Sequence, residues 1–217
     1  MARKRTDSLN VWPAFTDTML AFVLILVLML SYQVARSIEL SDPEERDPGV
    51  VQREEDQTRV EQLIRDFETQ GYNIDVTTDG VIQELRFGSD VTFQSGDAVL
   101  SSQGGRLLDS LAQEITGQGQ AGQIKMLTEI QVGGHTDNVP INNAKFQSNW
   151  ELSTARATRV VESLIESGVD PDQVTMSATG YSEYDPRASN RTDAGRKKNR
   201  RIEIRLIYTN TLPEYRR

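Results

Sequence analysis

The sequence predicts an α/β (α+β) protein in which a mixed sheet has helices on one face, preceded by a single N-terminal transmembrane helix. Three observations predict this class. Twelve consecutive apolar residues, Met19 to Leu30, lie near the N-terminus. After residue 71, strand-like and helix-like runs alternate, which is typical of a sheet covered by helices. The first two strand-like runs are separated by Thr78-Asp79-Gly80, and Asp-Gly between such runs favours a tight hairpin turn.

The composition fits one ordinary domain attached to a short extension. The chain has 217 residues and a formal net charge of −8, so its overall charge does not suggest a nucleic-acid partner. It contains no cysteine, which fits either a reducing compartment or an envelope protein that relies on its core. Hydrophobic residues make up 37% of the chain, which is consistent with one span and a soluble domain.

Residues 11–35 are predicted to form the transmembrane helix, because aromatic and apolar residues on both sides extend the apolar run to about 20 residues. No small-residue cleavage site follows the run, so we expect the segment to be retained rather than removed as a signal peptide. Three cations at positions 3–5 precede it, and acids dominate after it. By the positive-inside rule, residues 1–10 are cytoplasmic and the rest of the chain lies outside.

Asp17 stands at the start of this apolar stretch, between Thr16 and Thr18. A carboxylate inside a membrane segment is costly, and it usually faces partner helices or water rather than lipid. The functional interpretation is an ion carrier that loads and releases protons. The alternative is an N-terminal helix cap just outside the membrane. One span cannot enclose a polar pathway, so the first interpretation requires a second copy, another subunit, or both.

Residues 36–70 are predicted to form a linker and an amphipathic helix. The segment 36–50 is polar and contains two prolines and a glycine. From 51 to 69, apolar residues recur at helical spacing, and the acids at other positions predict a solvent-facing surface. The apolar stripe is compatible with packing on the following domain or with a parallel helix–helix contact to a second copy of the chain. Its short length leaves both alternatives open.

Residues 71–210 are predicted to form one domain, followed by a tail at 211–217. The expected strands are 72–77, 81–87, 126–132, 174–178 and 202–208, and the expected helices are 102–115 and 149–167. Gly133-Gly134 is interpreted as the end of the third strand, and residues 116–124 and 180–195 as loops.

Two charged residues suggest a ligand site. Asp137 follows the third strand, and Arg156 lies on the next helix. Such a pair can hold a zwitterion, because the carboxylate binds an ammonium group and the guanidinium grips a carboxylate with two hydrogen bonds. Backbone N–H groups at the helix start near Asn149 would add an anion site. The alternative is that Asp137 and Arg156 pair with each other.

Catalytic and metal chemistry are not expected. His135 is the only histidine, and without cysteine a metal site would have to rely on carboxylates. No nucleophile-elbow pattern accompanies a serine. The eight bases from Arg187 to Arg205 have no aromatic residues among them, so single-stranded nucleic acid is not favoured. An acidic envelope polymer is the better partner, and we expect no enzyme activity, no cofactor and no direct nucleic-acid contact.

Residues from about 87 to 208 resemble the OmpA-like peptidoglycan-binding domain. The resemblance lies in the stretches GHTDNVPI (134–141), SNWELSTARA (148–157) and NRRIEIRL (199–206). It implies recognition of the diaminopimelate stem peptide of peptidoglycan, with Asp137 and Arg156 clasping its zwitterionic end. Further pocket residues are implied by their motif positions: Thr136, Asn149, Leu152 and Arg200.

The span and the domain are together similar to MotB, the B subunit of flagellar stators. Phe15-Thr16-Asp17-Thr18-Met19 matches the aromatic-x-Asp-x-Met pattern of these subunits. The resemblance implies that Asp17 carries ions in the bacterial inner membrane. It also implies that two copies form a homodimer inside a pentamer of a multi-span A subunit (MotA- or ZorA-like), with the C-terminal domain in the periplasm.

Two departures from the flagellar pattern favour ZorB, the B subunit of the Zorya anti-phage defence system, as the nearest resemblance. Trp12 stands one residue closer to the aspartate, within a WPAFTD start similar to that of ZorB. The predicted linker of fifteen residues reaches only about 50 Å when extended, which favours permanent anchoring. A flagellar stator subunit and a passive wall tether are the alternatives, and the sequence does not decide between protons and sodium.

Overall fold

The computed structural model describes residues 12–39, 47–118 and 123–213. The chain separates into two compact units, residues 1–46 and residues 47–217. The described part of the first unit is a single helix, and the second unit contains the sheet and the other described helices.

Helix α1 (Trp12–Glu39) has 28 residues, which correspond to about 42 Å at 1.5 Å per residue. Its stretch Phe15–Arg36 has a mean hydropathy of 2.2, and none of this stretch is buried within the protein. By length and composition, the helix is therefore able to cross a membrane, as predicted. The helix continues to Glu39, beyond the predicted end of the membrane segment at residue 35.

The second unit is built around a five-stranded mixed sheet. Its helices are α2 (Pro48–Thr69), α3 (Ser89–Thr92), α4 (Ser102–Thr116), α5 (Asn149–Glu166) and α6 (Asp193–Asn199), and its strands are β1 (Ile74–Asp79), β2 (Ile82–Gly88), β3 (Leu127–His135), β4 (Thr175–Ser182) and β5 (Arg201–Tyr208). The strand order is β1-β2-β5-β3-β4. Strands β3 and β4 are parallel, and the other neighbouring pairs are antiparallel. The predicted fold class is confirmed.

The two faces of the sheet differ in chemistry. Along β5, Ile202 and Ile204 are fully buried and join one hydrophobic core with apolar side chains of α2, α4 and α5. Glu203, between them, lies on the opposite face with ion pairs to Arg86 of β2 and Arg205 of β5. Because successive strand residues point to opposite sides, the helices cover one face and a polar surface forms on the other.

The predicted hairpin between the first two strands is confirmed. β1 and β2 pair antiparallel up to Asp79 and Ile82, and Gly80 adopts a φ of 57°. The two turn residues are Gly80 and Val81, and Gly80 supplies the positive φ that such a turn needs at its first position, whereas Asp79 is the last residue of β1.

Helix α2 packs onto the sheet, as one of the two alternatives for its apolar stripe predicts. Val60 and Phe67 belong to the hydrophobic core. The prediction that the polar side of the helix faces solvent is wrong at Asp56, which is fully buried. Its Oδ2 accepts hydrogen bonds of 2.8 Å from the backbone N–H groups of Lys125 and Met126. The carboxylate therefore ties α2 to the segment that leads into β3.

The glycines that were predicted to end the third strand are part of it. β3 continues through Gly133-Gly134 to His135. A Cβ atom on Gly134 would lie 2.1 Å from the backbone oxygen of Ser153 in α5. Its partner on β4, Gly180, would place a Cβ atom 2.2 Å from Oγ1 of Thr154. These glycines allow α5 to approach the sheet closely, and they do not break the strand.

One of the two predicted loops is shorter than expected. In the segment 180–195, β4 continues to Ser182 and α6 begins at Asp193. Helix α6 is seven residues long and polar, so it has no apolar periodicity that would reveal it. In the segment 116–124, α4 ends at Thr116, and residues 119–122 lie outside the described residues.

Candidate ligand-binding site

Asp137 lies two residues after the end of β3 and is buried. Its Oδ1 accepts a hydrogen bond of 3.0 Å from the backbone N–H of Val139, which fixes the loop after the strand. Its Oδ2 accepts a hydrogen bond of 2.7 Å from Nη1 of Arg200. The charged partner of Asp137 is therefore Arg200, and the alternative that Asp137 pairs with Arg156 is wrong.

Asn149, the first residue of α5, fastens the helix to this loop. Its Nδ2 lies 3.2 Å from the backbone oxygen of Asp137, 3.1 Å from that of Val139 and 3.1 Å from Oε2 of Glu183. Its Oδ1 accepts a hydrogen bond of 3.2 Å from the backbone N–H of Ile141. Asn149 thus holds the loop that presents Asp137.

The start of α5 carries a capping box. Oγ of Ser148 accepts a hydrogen bond of 3.2 Å from the backbone N–H of Glu151, and Oε2 of Glu151 accepts one of 2.7 Å from the N–H of Gln147. This reciprocal arrangement satisfies backbone donors at the helix start. One N–H group of the anion site predicted near Asn149 is therefore already used by the protein.

Arg156 lies about two turns into α5 and is buried, with 5% of its surface exposed. Its Nε donates a hydrogen bond of 2.8 Å to the backbone oxygen of Asp97, and its guanidinium carbon lies 5.3 Å from the centre of the Phe93 ring. Burial lowers the pKa of Arg156 to about 10, although the carboxylates of Asp90, Asp97 and Asp137 oppose this shift. The group is still charged at neutral pH.

The charge of Arg156 has no ion-pair partner within the described part of the chain. No carboxylate of the described residues lies within 4.0 Å of its guanidinium nitrogens, and only Nε has a hydrogen bond to them. Burying a guanidinium without a paired carboxylate costs free energy, so an anion that binds at Arg156 would offset this cost.

Arg200, at the junction of α6 and β5, closes the other side of the site. Its Nη1 donates to Asp137, and its Nη2 donates a hydrogen bond of 3.2 Å to Oδ2 of Asp90 in α3. Hydrogen bonding to Asp90, and then to Asp137, raises the pKa of Arg200 against the opposing effect of burial. The backbone oxygen of Arg200 accepts a hydrogen bond of 2.9 Å from the N–H of Ser89, which holds α3 in place.

Thr136 and Leu152 complete the predicted set. The backbone N–H of Thr136 donates a hydrogen bond of 2.9 Å to the oxygen of Ser182, whose φ of 53° marks a bulge opposite His135. Oγ1 of Thr136 is buried and has no hydrogen-bond partner among the described residues. Leu152 is buried but stands outside the main hydrophobic core.

These groups can bind a molecule that carries both charges. The guanidinium of Arg156 can hold a carboxylate through two hydrogen bonds. Asp137 and Asp90 share the single positive charge of Arg200, so the two carboxylates keep one negative charge in excess for an ammonium group. The hydroxyl of Thr136, which has no partner among the described residues, adds a polar contact. Sequence analysis did not identify three further residues of the site, because they precede Asp137 by about 40 residues and stand in no motif. These residues are Asp90, Phe93 and Asp97.

A second charged group of side chains, here called the His135 cluster, contains His135, Asp185, Arg201 and Glu203. One ligand atom each from His135, Asp185 and Glu203 lies within 4.8 Å of the others, which is compatible with a metal ion. However, Arg201 donates a hydrogen bond of 2.7 Å to Glu203 and one of 3.1 Å to Asp185. The guanidinium of Arg201 already pairs with both carboxylates, and Arg86, Arg187 and Arg205 also lie within 4.0 Å of Glu203, so we assign no metal here. Arg201 is also one of the eight bases of the predicted anion patch, and its burial removes it from that surface.

Asp17 lies inside α1, five residues after the first residue of the helix, so the alternative of an N-terminal cap is wrong. Its side chain is exposed on the single chain. The following residue, Thr18, donates a hydrogen bond of 2.9 Å from Oγ1 to the backbone oxygen of Phe15. A carboxylate on the surface of one membrane helix requires further helices or water to surround it.

A family model described as the OmpA family matches residues 92–200, which is half of the chain and includes the ligand site around Asp137, Arg156 and Arg200. The chain belongs to the OmpA family. The resemblance deduced from the motifs is confirmed at this level, and the second unit is an OmpA-family domain.

The OmpA-family relatives include motility proteins. Motility protein B of Bacillus subtilis is 34% identical over 151 residues, which cover 69% of this chain and 54% of the relative. Motility protein B of Helicobacter pylori strain J99 is 45% identical over 75 residues, which cover 35% and 28%. Outer membrane protein A of Bordetella avium is 35% identical over 121 residues, which cover 56% of each chain. The chain therefore spans about half or less of the length of these relatives.

Solved structures agree with the OmpA-family fold. A MotB-like protein from Desulfovibrio vulgaris has a TM-score of 0.60 at 26% identity, covering 74% of this chain and 94% of that one. The cell wall anchor of the T6SS from Pseudomonas aeruginosa has a TM-score of 0.57 at 28% identity, covering 68% and 94%. The periplasmic domain of Helicobacter pylori MotB has a TM-score of 0.52 at 26% identity, covering 63% and 82%.

Proposed function

We propose that this OmpA-family chain is the wall-anchored B subunit of an ion-driven motor in the bacterial inner membrane, acting in Zorya-type anti-phage defence. The observation that carries the proposal is the buried, charged and unpaired guanidinium of Arg156 beside the carboxylate of Asp137. The same chain begins with a helix able to span a membrane, and that helix contains Asp17.

The ligand of the periplasmic site is the diaminopimelate residue of a peptidoglycan stem peptide. Its free end is a zwitterion, which matches an unpaired cation next to carboxylates. Arg156 binds the carboxylate of the ligand, and Asp137 binds its ammonium group. Arg200 orients Asp137 through their hydrogen bond of 2.7 Å, and Thr136 offers its unpartnered hydroxyl. Leu152 and Asn149 shape the pocket and its loop.

Asp17 is the ion-carrying residue of the membrane part. The chain forms a homodimer, and a pentamer of a multi-span A subunit surrounds the two membrane helices and encloses both carboxylates. Each proton that crosses supplies about 2.3 kcal/mol per 100 mV of membrane potential, which is enough to drive conformational steps. The N-terminus is cytoplasmic and the OmpA-family domain periplasmic, so the wall holds the dimer while the pentamer turns.

The defence role is favoured by the short connection between the membrane helix and the domain. Only residues 40–46 separate α1 from the second unit along the chain, and α2 is packed into that unit. The similarity to motility proteins supports a flagellar stator subunit as the alternative. The likeness to a cell wall anchor supports a passive tether in which α1 has no ion-carrying role.

Wall binding is tested by sedimenting the full-length chain in detergent with purified sacculi. Arg156→Met should abolish co-sedimentation, because it removes the unpaired cation and keeps most of the packing volume. Arg65→Met, on an exposed helix position with an ion pair to Glu61, is the matched control and should bind like the wild type. Equal binding by Arg156→Met and the wild type would reject this site.

The motor is tested by Asp17→Asn in cells that also produce the A subunit. We expect loss of phage protection, measured as plaque-forming efficiency, with unchanged binding to sacculi. Full protection by Asp17→Asn would leave only the passive tether. Loss of swimming, rather than of phage protection, would assign the chain to a flagellar stator.

A further inference from the structure

An exposed aromatic pair lies beside the ligand site. Trp150 is 51% exposed and Tyr184 is 71% exposed, and their rings stack with centroids 5.6 Å apart and planes 24° apart. Two large aromatic side chains held together on a domain surface offer an apolar area that water does not favour. Such a pair is suited to stack on the flat face of a ligand.

The groove next to this pair combines aromatic and polar groups. It has a volume of about 770 Å³. The groove is shallow and open: Phe146 and Trp150 supply aromatic surface, and polar and charged side chains supply hydrogen-bonding groups, namely Lys145, Glu151, Thr154, Thr158, Arg159 and Glu162. A protein partner would favour a broader apolar area, whereas a sugar ring presents one apolar C–H face bordered by hydroxyl and acetamido groups. The mixture in the groove therefore matches a carbohydrate.

Two connections join the aromatic pair and the groove to the ligand site. Asn149, which holds the loop of Asp137, precedes Trp150 and contacts Glu183, which precedes Tyr184. Asp97 provides the second connection, because its backbone oxygen accepts the hydrogen bond from Arg156 and its carboxylate pairs with Lys145 at 2.6 Å. A ligand that is held at Arg156 can therefore extend into the groove.

We propose that Trp150 and Tyr184, with the adjoining groove, bind an amino sugar of the peptidoglycan glycan strand. The inference rests on the proposed function, because a stem peptide held at Arg156 brings its own sugar with it. In peptidoglycan, the diaminopimelate residue is separated from the glycan by only two amino acids. The domain thus binds two linked groups of the same wall fragment, the zwitterion of the stem peptide and a sugar ring.

The test compares two soluble probes with the full-length chain in lipid nanodiscs. One probe is a disaccharide bearing a stem peptide, and the other is the same stem peptide after enzymatic removal of the sugars. The wild type should bind the disaccharide probe about tenfold more tightly, the gain expected of one good aromatic stack. Trp150→Ala should lose this gain and still bind the bare peptide as the wild type does, and Trp150→Phe should retain most of it.

Ile165→Ala, an exposed apolar position on the same helix, is the matched control and should keep the wild-type ratio. An unchanged ratio in Trp150→Ala, or equal binding of both probes by the wild type, would overturn the sugar site and leave the stem-peptide site intact. Loss of the homodimer in Trp150→Ala with an unchanged ratio would overturn it as well, by assigning the pair to contact between copies. If the wild type binds neither probe, the proposed wall-binding function itself fails.

Discussion

Arg156 and Arg201 are both buried arginines of the same domain, yet their surroundings differ. Arg201 donates hydrogen bonds to the carboxylates of Glu203 and Asp185, and its Nη1 donates one of 3.1 Å to the backbone oxygen of Asp185. Arg156 has a single hydrogen bond from Nε to Asp97. The comparison teaches that a guanidinium with paired carboxylates stabilises a fold, whereas one without an ion-pair partner among the described residues indicates a candidate ligand site.

Arg201→Met should give the largest loss of stability. The substitution leaves the carboxylate of Glu203 buried without its strongest cation, and removing one partner of a buried ion pair costs about 3–5 kcal/mol. Urea denaturation of residues 47–217 at pH 7 measures this. A loss below about 1 kcal/mol would mean that the His135 cluster does not hold the sheet together.

Acidification should weaken the same cluster. Burial alone would raise the pKa of Glu203, but His135 and Arg201 outweigh it and lower this pKa to about 2. A carboxyl group whose folded pKa is depressed stabilises the fold fully above its unfolded pKa near 4.5, and this contribution disappears as pH falls toward 2.

The expected loss is about 3 kcal/mol over this pH interval. It is measured by the free energy of unfolding between pH 6 and pH 2. In Glu203→Gln, the free energy of unfolding should depend less on pH over this interval than in the wild type. An equal pH dependence of the two proteins would contradict the assignment to Glu203.

Gly134→Ala should have an intermediate effect of about 2 kcal/mol, because the added methyl group would overlap the backbone of Ser153 and push α5 from the sheet. The displacement of α5 should also weaken stem-peptide binding, since this helix presents Arg156. Gly105→Ala on α4 is the control, because its Cβ would meet no atom within 4 Å and a helical alanine is stabilising. Similar melting temperatures for the two variants would contradict the close approach.

Arg156→Met should have the smallest effect on stability, within about 1 kcal/mol, because the loss of one hydrogen bond and of the contact with the Phe93 ring is offset by removal of an unpaired buried charge. Stem-peptide binding should nevertheless fall more than tenfold. Calorimetric titration and urea denaturation of the same preparation give both values. A large loss of stability in this variant would remove the contrast with Arg201.

The sequence predicts the elements whose patterns are local. The apolar run identified α1, and the Asp79-Gly80 pair identified the first hairpin. The prediction that the third strand ends at Gly133-Gly134 was wrong. In a sequence, a glycine that allows a helix to approach a strand cannot be told from a glycine that ends the strand.

For the ligand site, the motifs located Asp137 and Arg156, but not which arginine pairs with the aspartate. Arg200 reaches Asp137 across 63 positions, and Asp90 lies 110 positions from Arg200. No periodicity records such long-range contacts, so only the folded chain reveals that Arg200, and not Arg156, is the partner of Asp137.

The buried carboxylate of Asp56 bears on how this molecule withstands tension. A pull on the chain at Asp47 reaches α2 first, where Asp56 holds the N–H groups of Lys125 and Met126 together and Gly49 lies tightly against Asn210. A pull at this point is therefore opposed by several contacts of α2 with the rest of the domain. In the proposed motor, these contacts would keep α2 fixed to the rest of the domain while force is applied to the chain.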